Sequence, residues 1–505
     1  VIDACSISTT LGTIVGKRSG EVCSWKGIPY ARELNPENRF APPQPVTPWK
    51  GEREAFTYSG VAPQRRLLRT KFSPACLTLN IWAPADRSRK RPVLFFIHGG
   101  SFTHGAGSDP WYEGTHLSEH TGMVVVTINY RLGILGFSDF SGLESSFGSN
   151  LGLQDVLMAL SWVHENISAF GGDPDNITAA GQSAGGTMVT ALSVCSHARA
   201  KISKFMIMSG GPTQLHGVDD CRAISEEFFT FSGLERVDQL RTIPFDELIR
   251  LQREFISRTG LGSATFRLTV DGDLIPEYPI PAAGGLQGDR HPMLIGTTRE
   301  ELSFMQFKPL ERSINVEKII THGLQLESEG VRNRLIKGYE QVYGPGHGRM
   351  MLYTDMLFRI GNIWFVEAIS RHTDLWMYRF DFKTTILKIN GLQAFHATDL
   401  PYLFGNIDHI LIKPMFIVKS DMEDVLEMIR IMQSDVKQFA TTGELDWERC
   451  SGNHTPAKSY DIPPRTVPAV PEVIKSLYDN TSYRNRSFTP SVNPAPCPVG
   501  DKEVI

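Results

Sequence analysis

Asn176-Ile-Thr-Ala-Ala-Gly181-Gln182-Ser183-Ala184-Gly185-Gly186-Thr-Met-Val-Thr-Ala-Leu-Ser-Val194 joins a strand-like run to a helix-capable one through Gly-x-Ser-x-Gly. In that setting the pentapeptide reads as a nucleophile elbow. The turn is so tight that Ser183 must take a strained backbone conformation. Gly181 and Gly185 leave room for neighbouring chain to pass close. The serine hydroxyl is then presented above the sheet edge to a substrate carbonyl. By itself the pentapeptide reads equally well as a Gly-rich turn, so the rest of the machinery has to be found elsewhere in the chain.

Outward from the elbow, strands and helices alternate. Val93–Ile97, Val124–Ile128, Ile177–Ala180 and Phe205–Met208 read as strands. Asn150–Phe170 reads as a helix, with Leu151, Val156, Leu157, Leu160 and Val163 on its apolar face. That alternation predicts an α/β fold with a central, mostly parallel sheet covered on both faces. Before it lie short strands at Gly12–Gly16, Val22–Ile28 and Leu77–Trp82, and a Pro-rich extended stretch from Arg39 to Trp49. After it, residues 215–370 are mostly helical in pattern, as at Phe245–Phe255 and Val331–Val342. Strands return at Met293–Ile295 and Leu375–Phe380, and Met422–Thr442 reads as a helix.

Length alone, 505 residues, allows two or more domains. No internal repeat or long linker divides the chain, so one unit over 1–505 is expected, with a loosely packed tail from about residue 480. A formal charge of -4 without a long basic run argues against a nucleic-acid partner. The longest apolar runs are strand length, which argues against a membrane span. No apolar signal core stands in the first twenty residues. The seven cysteines are few, dispersed and odd in number, and read as free thiols of a reducing compartment. No Cys/His spacing suggests zinc, so neither metal nor cofactor is expected. Asn-x-Ser/Thr triplets stand at Asn166, Asn176, Asn453, Asn480 and Asn485.

A serine hydroxyl is a poor nucleophile until a histidine takes its proton and a carboxylate orients that histidine. The best-placed of 14 histidines is His396, a short loop beyond the strand ending at Phe380. Glu300 and Glu301, just after Met293-Leu-Ile-Gly296, are both available as the acid. The oxyanion of a tetrahedral intermediate needs backbone N–H donors. His98-Gly99-Gly100-Ser101-Phe102 follows the strand Val93–Ile97, where such a loop would sit.

Taken together these segments resemble the type-B carboxylesterase/cholinesterase family, in particular its bacterial p-nitrobenzyl-esterase-like members, over roughly residues 10–480. The resemblance is carried by Gly27-Ile-Pro-Tyr-Ala31, Arg39-Phe-Ala-Pro-Pro43, Cys76-Leu-Thr-Leu-Asn-Ile-Trp82, the oxyanion loop and Asn129-Tyr-Arg-Leu-Gly133. It continues through Asn150-Leu-Gly-Leu-Gln-Asp155, Phe170-Gly-Gly-Asp-Pro174, the elbow, Gly296-Thr-Thr-Arg-Glu-Glu301 and Phe395-His-Ala-Thr-Asp-Leu-Pro401. It implies an α/β-hydrolase fold with helical insertions around a gorge. It also implies a triad of Ser183, Glu301 and His396, and oxyanion donors at Gly100, Ser101 and Ala184. Three departures stand out. Gln182 replaces the usual Glu, and Ser101 the usual Gly or Ala. The family's first disulfide loses its partner, because Val61-Ala-Pro-Gln64 lacks a cysteine and Pro74-Ala75 precedes Cys76.

The expected function is serine carboxylesterase on a small-molecule ester, through an acyl-enzyme. An amidase, lactonase or acyltransferase with the same triad is the nearest alternative, and a non-catalytic binding protein of this fold the more distant one. Phe102, Trp111, Tyr112, Phe304 and Phe395 are candidate pocket residues. A cytoplasmic monomer is expected, with secretion as the alternative.

Overall fold

A computed structural model describes residues 4–65, 71–306, 320, 324, 327–408, 418–479 and 481. The strands run β1 (Ala4–Thr9), β2 (Gly12–Ser19), β3 (Val22–Pro29), β4 (Glu52–Glu54), β5 (Thr78–Pro84), β6 (Arg91–Ile97), β7 (Val124–Ile128) and β8 (Gly172–Gln182). They continue as β9 (Lys204–Met208), β10 (Leu215–Gly217), β11 (Leu268–Val270), β12 (Met293–Thr298), β13 (Leu375–Phe380), β14 (Pro456–Tyr460) and β15 (Arg465–Pro468). The main sheet has the order β1-β2-β3-β5-β7-β6-β8-β9-β12-β13-β14-β15, with β4 beside β2; β10 and β11 pair separately. From β7 through β14 each neighbouring pair is parallel. The antiparallel pairs lie at the two ends. This is the mostly parallel α/β sheet that the alternating pattern predicts.

The central strands are buried on both faces, and their sequences show why. In β6, Val93, Phe95 and Ile97 enter one apolar core while Leu94 and Phe96 enter the other. In β9, Phe205 and Ile207 face one side and Met206 and Met208 the opposite one. Strands covered by helices on both sides need apolar residues at every position, not at alternate ones. The long helix runs Leu151–Asn166 and tightens into a 3-10 turn at Ile167–Phe170. The sequence pattern had left β1, β14 and β15 unmarked. β15 is short and largely exposed, and therefore carries no apolar pattern.

One sequence expectation is corrected. Cys5 and Cys23 form a disulfide, with their Cα atoms 6.4 Å apart. The pairing of β1 with β2, and of β2 with β3, folds the chain back twice and brings together residues eighteen positions apart. Trp25 Nε1 donates to the Cys5 carbonyl at 2.9 Å across the same corner. An odd cysteine count carries no information about such a corner. Cys76, Cys195, Cys221 and Cys450 are free and buried. Cys497, Asn480, Asn485 and the expected loose tail lie outside the described residues, apart from Thr481.

Candidate active site

Ser183 stands between β8 and the helix Ala184–Val194 with φ 58° and ψ -123°, a conformation an L-residue adopts only under constraint. The constraint is steric. A Cβ on Gly181 would stand 2.5 Å from Gly185 backbone, and one on Gly185 would stand 2.0 Å from the Ile97 carbonyl oxygen. The elbow therefore packs directly on the end of β6. Ser183 N–H donates to the Met208 carbonyl at 2.9 Å, which ties the turn to β9 as well.

The loop after β6 is shaped by a run of left-handed residues. Gly100, Ser101 and Phe102 have φ of 118°, 52° and 60°. The Gly100 carbonyl accepts from Thr103 N–H and His104 N–H, both at 3.0 Å. A Cβ on Gly99 would come within 3.0 Å of Ser183 Cβ, so this loop lies against Ser183. Among the described residues, the N–H groups of Gly100, Ser101 and Ala184 donate to no acceptor. His98 anchors the loop from beneath. Its ring stacks on Tyr130 at 4.3 Å, and the Tyr130 hydroxyl donates to its carbonyl at 2.8 Å. Burial pushes the His98 imidazole down to about 4, so it is neutral.

Glu301 follows β12 and is fully buried. Its Oε1 accepts from Thr298 N–H and Ser209 Oγ–H, each at 2.7 Å. Its Oε2 stands 2.7 Å from His396 Nδ1. The backbones are joined too, since His396 N–H donates to the Glu301 carbonyl at 2.9 Å. Glu300 turns away to His347 Nε2, at 3.4 Å. His396 Nε2 faces the Gln182 carboxamide nitrogen at 3.2 Å, and the Phe358 ring lies 4.9 Å from the imidazole. Asp399 is buried nearby and accepts from the Tyr378 hydroxyl at 3.0 Å. Burial first, and then the Glu301 charge, push its carboxyl up to about 6.

Ser183, the oxyanion loop, Glu301 and His396 thus follow β8, β6, β12 and β13, all at the carboxyl ends of parallel strands, where open α/β sheets hold their sites. Of the aromatic candidates, Phe304 and Phe395 are half-buried, 5.7 Å apart, and flank Glu301 and His396 in the chain. Trp111 is half-buried on the core that holds Tyr112. Phe102 is buried against Phe137. Tyr112 is a core residue, packed on Phe96 and Phe404, with its hydroxyl meeting the Gly99 backbone. Sequence reasoning missed Ser209, Phe358 and Asp399. Ser209 alone carried a signal, because Ser209-Gly-Gly211 follows β9 as the oxyanion loop follows β6.

A mostly parallel sheet that carries a strained serine elbow, with a histidine–carboxylate pair delivered by later strands, defines an α/β-hydrolase. Comparison with known proteins narrows the class. The model of the carboxylesterase family matches residues 3–470. The chain is 33% identical over 450 residues to para-nitrobenzyl esterase of Bacillus subtilis (strain 168), covering 86% of this chain and 90% of that protein. It is 30% identical over 321 residues to cholinesterase of Mus musculus, covering 58% and 53% respectively. A solved PNB esterase structure superposes with a TM-score of 0.85 at 29% identity, over 94% of this chain and 99% of that one. The chain belongs to the carboxylesterase family. It is a serine carboxylesterase, a hydrolase of carboxylic esters. Among the described residues no helix is long and apolar enough to cross a membrane.

Proposed function

We propose that Ser183 is the nucleophile, His396 the general base, Glu301 its orienting acid, and the N–H groups of Gly100, Ser101 and Ala184 the oxyanion donors. Ser183 Oγ forms a bond to the ester carbonyl carbon as its proton passes to His396 Nε2. The carbonyl π pair moves onto oxygen and is held by the three N–H groups. Collapse expels the alcohol, which takes the proton from His396. Water then repeats the sequence on the acyl-enzyme and frees Ser183. The observation that carries this reading is the 2.7 Å contact between His396 and a buried Glu301. That carboxylate is pinned by two further donors, so it can hold the imidazole in one tautomer and stabilise its charged form.

Phe304 and Phe395 are proposed as walls of the pocket, with Trp111 and Phe102 behind them. The chain is proposed to act as one domain and as a monomer. The Cys5–Cys23 bond removes the support that free thiols lent to a cytoplasmic location and favours an oxidising compartment. The deciding experiment is steady-state hydrolysis of short- and medium-chain p-nitrophenyl esters by the purified protein and by Ser183→Ala. Turnover is expected to fall on the order of a hundred-thousandfold with the circular dichroism unchanged. Appreciable turnover in the purified variant would remove Ser183 from its role.

A further inference from the structure

Gln182 precedes the nucleophile, is buried, and directs its carboxamide nitrogen at His396 Nε2 from 3.2 Å. That ring nitrogen is the one that must accept the Ser183 proton. Among the described residues no hydrogen bond joins Ser183 Oγ to His396. The imidazole is thus held on three sides: by Glu301 at Nδ1, by Gln182 at Nε2 and by the Phe358 ring on its face.

We propose that Gln182 is a positioning residue for the base: its amide N–H holds the Nε2 lone pair of neutral His396 in the resting enzyme and yields it to Ser183 for reaction. The inference rests on His396 acting as the base. The chemistry of the two ring nitrogens carries it. A neutral imidazole that gives its Nδ1–H to Glu301 has only a lone pair at Nε2, which a carboxamide N–H can meet. A carboxylate in the same place has only lone pairs and meets Nε2 only when that nitrogen is protonated. It would therefore favour the imidazolium, which cannot take the Ser183 proton. A Glu at position 182 would add a second negative charge to a site that already faces Glu301.

Other charged groups stand around the ring. Asp399 lies on the same loop, accepts from Tyr378 through Oδ2, and leaves its buried Oδ1 without a hydrogen-bond partner among the described residues; its charge acts on Glu301 and His396. On the turn that carries Phe358, Asp355 and Arg359 pair with each other, and Arg359 Nη1 donates to the Arg299 carbonyl at 3.2 Å. Glu300 is engaged by His347. The Gln182 amide is the group that meets Nε2, so its N–H and the charge at position 182 are the variables to change.

The test compares full-length wild type, Gln182→Glu and Gln182→Met in kcat/KM for p-nitrophenyl acetate between pH 5 and 9. The Glu variant is expected to move the acidic limb upward by about one pH unit, a roughly tenfold loss at pH 6 that fades at pH 8. The Met variant, of similar size but without the N–H that meets the lone pair, is expected to move the limb upward by less than the Glu variant. Coincident limbs for wild type and the Met variant would reduce Gln182 to packing, whatever the Glu variant does. Should the Glu variant fail to fold, selective 15N-histidine labelling decides instead. Ser183→Ala is expected to leave the His396 Nε2 resonance unmoved and Gln182→Met to displace it; the reverse overturns the proposal. Failure of the base assignment itself would show separately, as ester turnover surviving His396→Ala.

Discussion

Glu300 and Glu301 are adjacent in the chain, yet the turn after β12 sends them to different partners. Glu301 is buried on His396, whereas Glu300 meets His347. A carboxylate that fixes the imidazole tautomer should be far more costly to neutralise than one that pairs with a peripheral histidine. Glu301→Gln is therefore expected to lower kcat on the order of a thousandfold or more, and Glu300→Gln by less than about tenfold. Steady-state kinetics of the two variants on one ester checks the ranking, and the opposite order would show that the wrong carboxylate was chosen. Ser101 belongs to the same scale. Its φ of 52° is uncommon for a residue with a side chain, yet its amide donates to no acceptor among the described residues. A hydroxymethyl group at this position changes the space beside the oxyanion donors without removing a donor.

Among elements, the elbow is the one most tightly specified. β8 and the helix Ala184–Val194 meet β6 so closely that Gly185 has no room for a methyl group, only 2.0 Å from the Ile97 carbonyl oxygen. The obstacle is backbone at the centre of the sheet and cannot swing aside. Gly185→Ala is expected to cost at least about 2 kcal/mol of stability and to misplace Ser183, so activity and the denaturation midpoint should fall together. Urea unfolding followed by circular dichroism provides the check; a wild-type midpoint would contradict the packing described. The helix Leu151–Asn166 is fastened differently. Asp155 accepts from Arg131 Nε at 2.8 Å, Arg131 Nη2 at 2.6 Å and Arg131 N–H at 2.9 Å. Arg131 Nη1 also donates to the Ala41 carbonyl at 2.7 Å. One buried ion pair thus joins the loop after β7, the long helix and the Pro-rich stretch. This explains why the Asn129-Tyr-Arg and Leu-Gln-Asp155 stretches belong to one structural unit.

For the molecule as a whole, acid stability depends on histidines that folding keeps neutral. His216, on β10, is fully buried. Burial, and then the Arg267 charge, push its imidazole down to about 3. Its unfolded value is about 6.5, so below that pH the unfolded chain takes up a proton that the folded one refuses. Stability is accordingly complete above about pH 6.5 and is lost as pH falls toward 3. His216→Leu removes this dependence. Between pH 7 and pH 5 the wild type is expected to lose about 2 kcal/mol more than the variant. Denaturant unfolding of both proteins at the two pH values measures that difference, which cancels any packing change in the variant. Equal losses would mean that His216 is protonated in the fold.

What the sequence determined by itself is local or repetitive in origin. Continuous apolar runs mark strands buried on both faces, and the 3.6-residue pattern marks Leu151–Asn166, because each follows from the period of one element. Ser183 was legible because a strained turn needs Gly181 and Gly185 at fixed offsets. The ordered motifs carried the family. The resemblance already pointed to Glu301 rather than Glu300, and tertiary structure supplied the 2.7 Å contact with His396. Tertiary structure alone showed that Gln182 rather than Ser183 faces the ring nitrogen, that Ser209 holds the carboxylate, and that Cys5 and Cys23 join. In each case the partners lie on or beyond the ends of different strands, 18 to 214 residues apart. Their meeting is set by the order and twist of the sheet, which no local pattern of residues encodes.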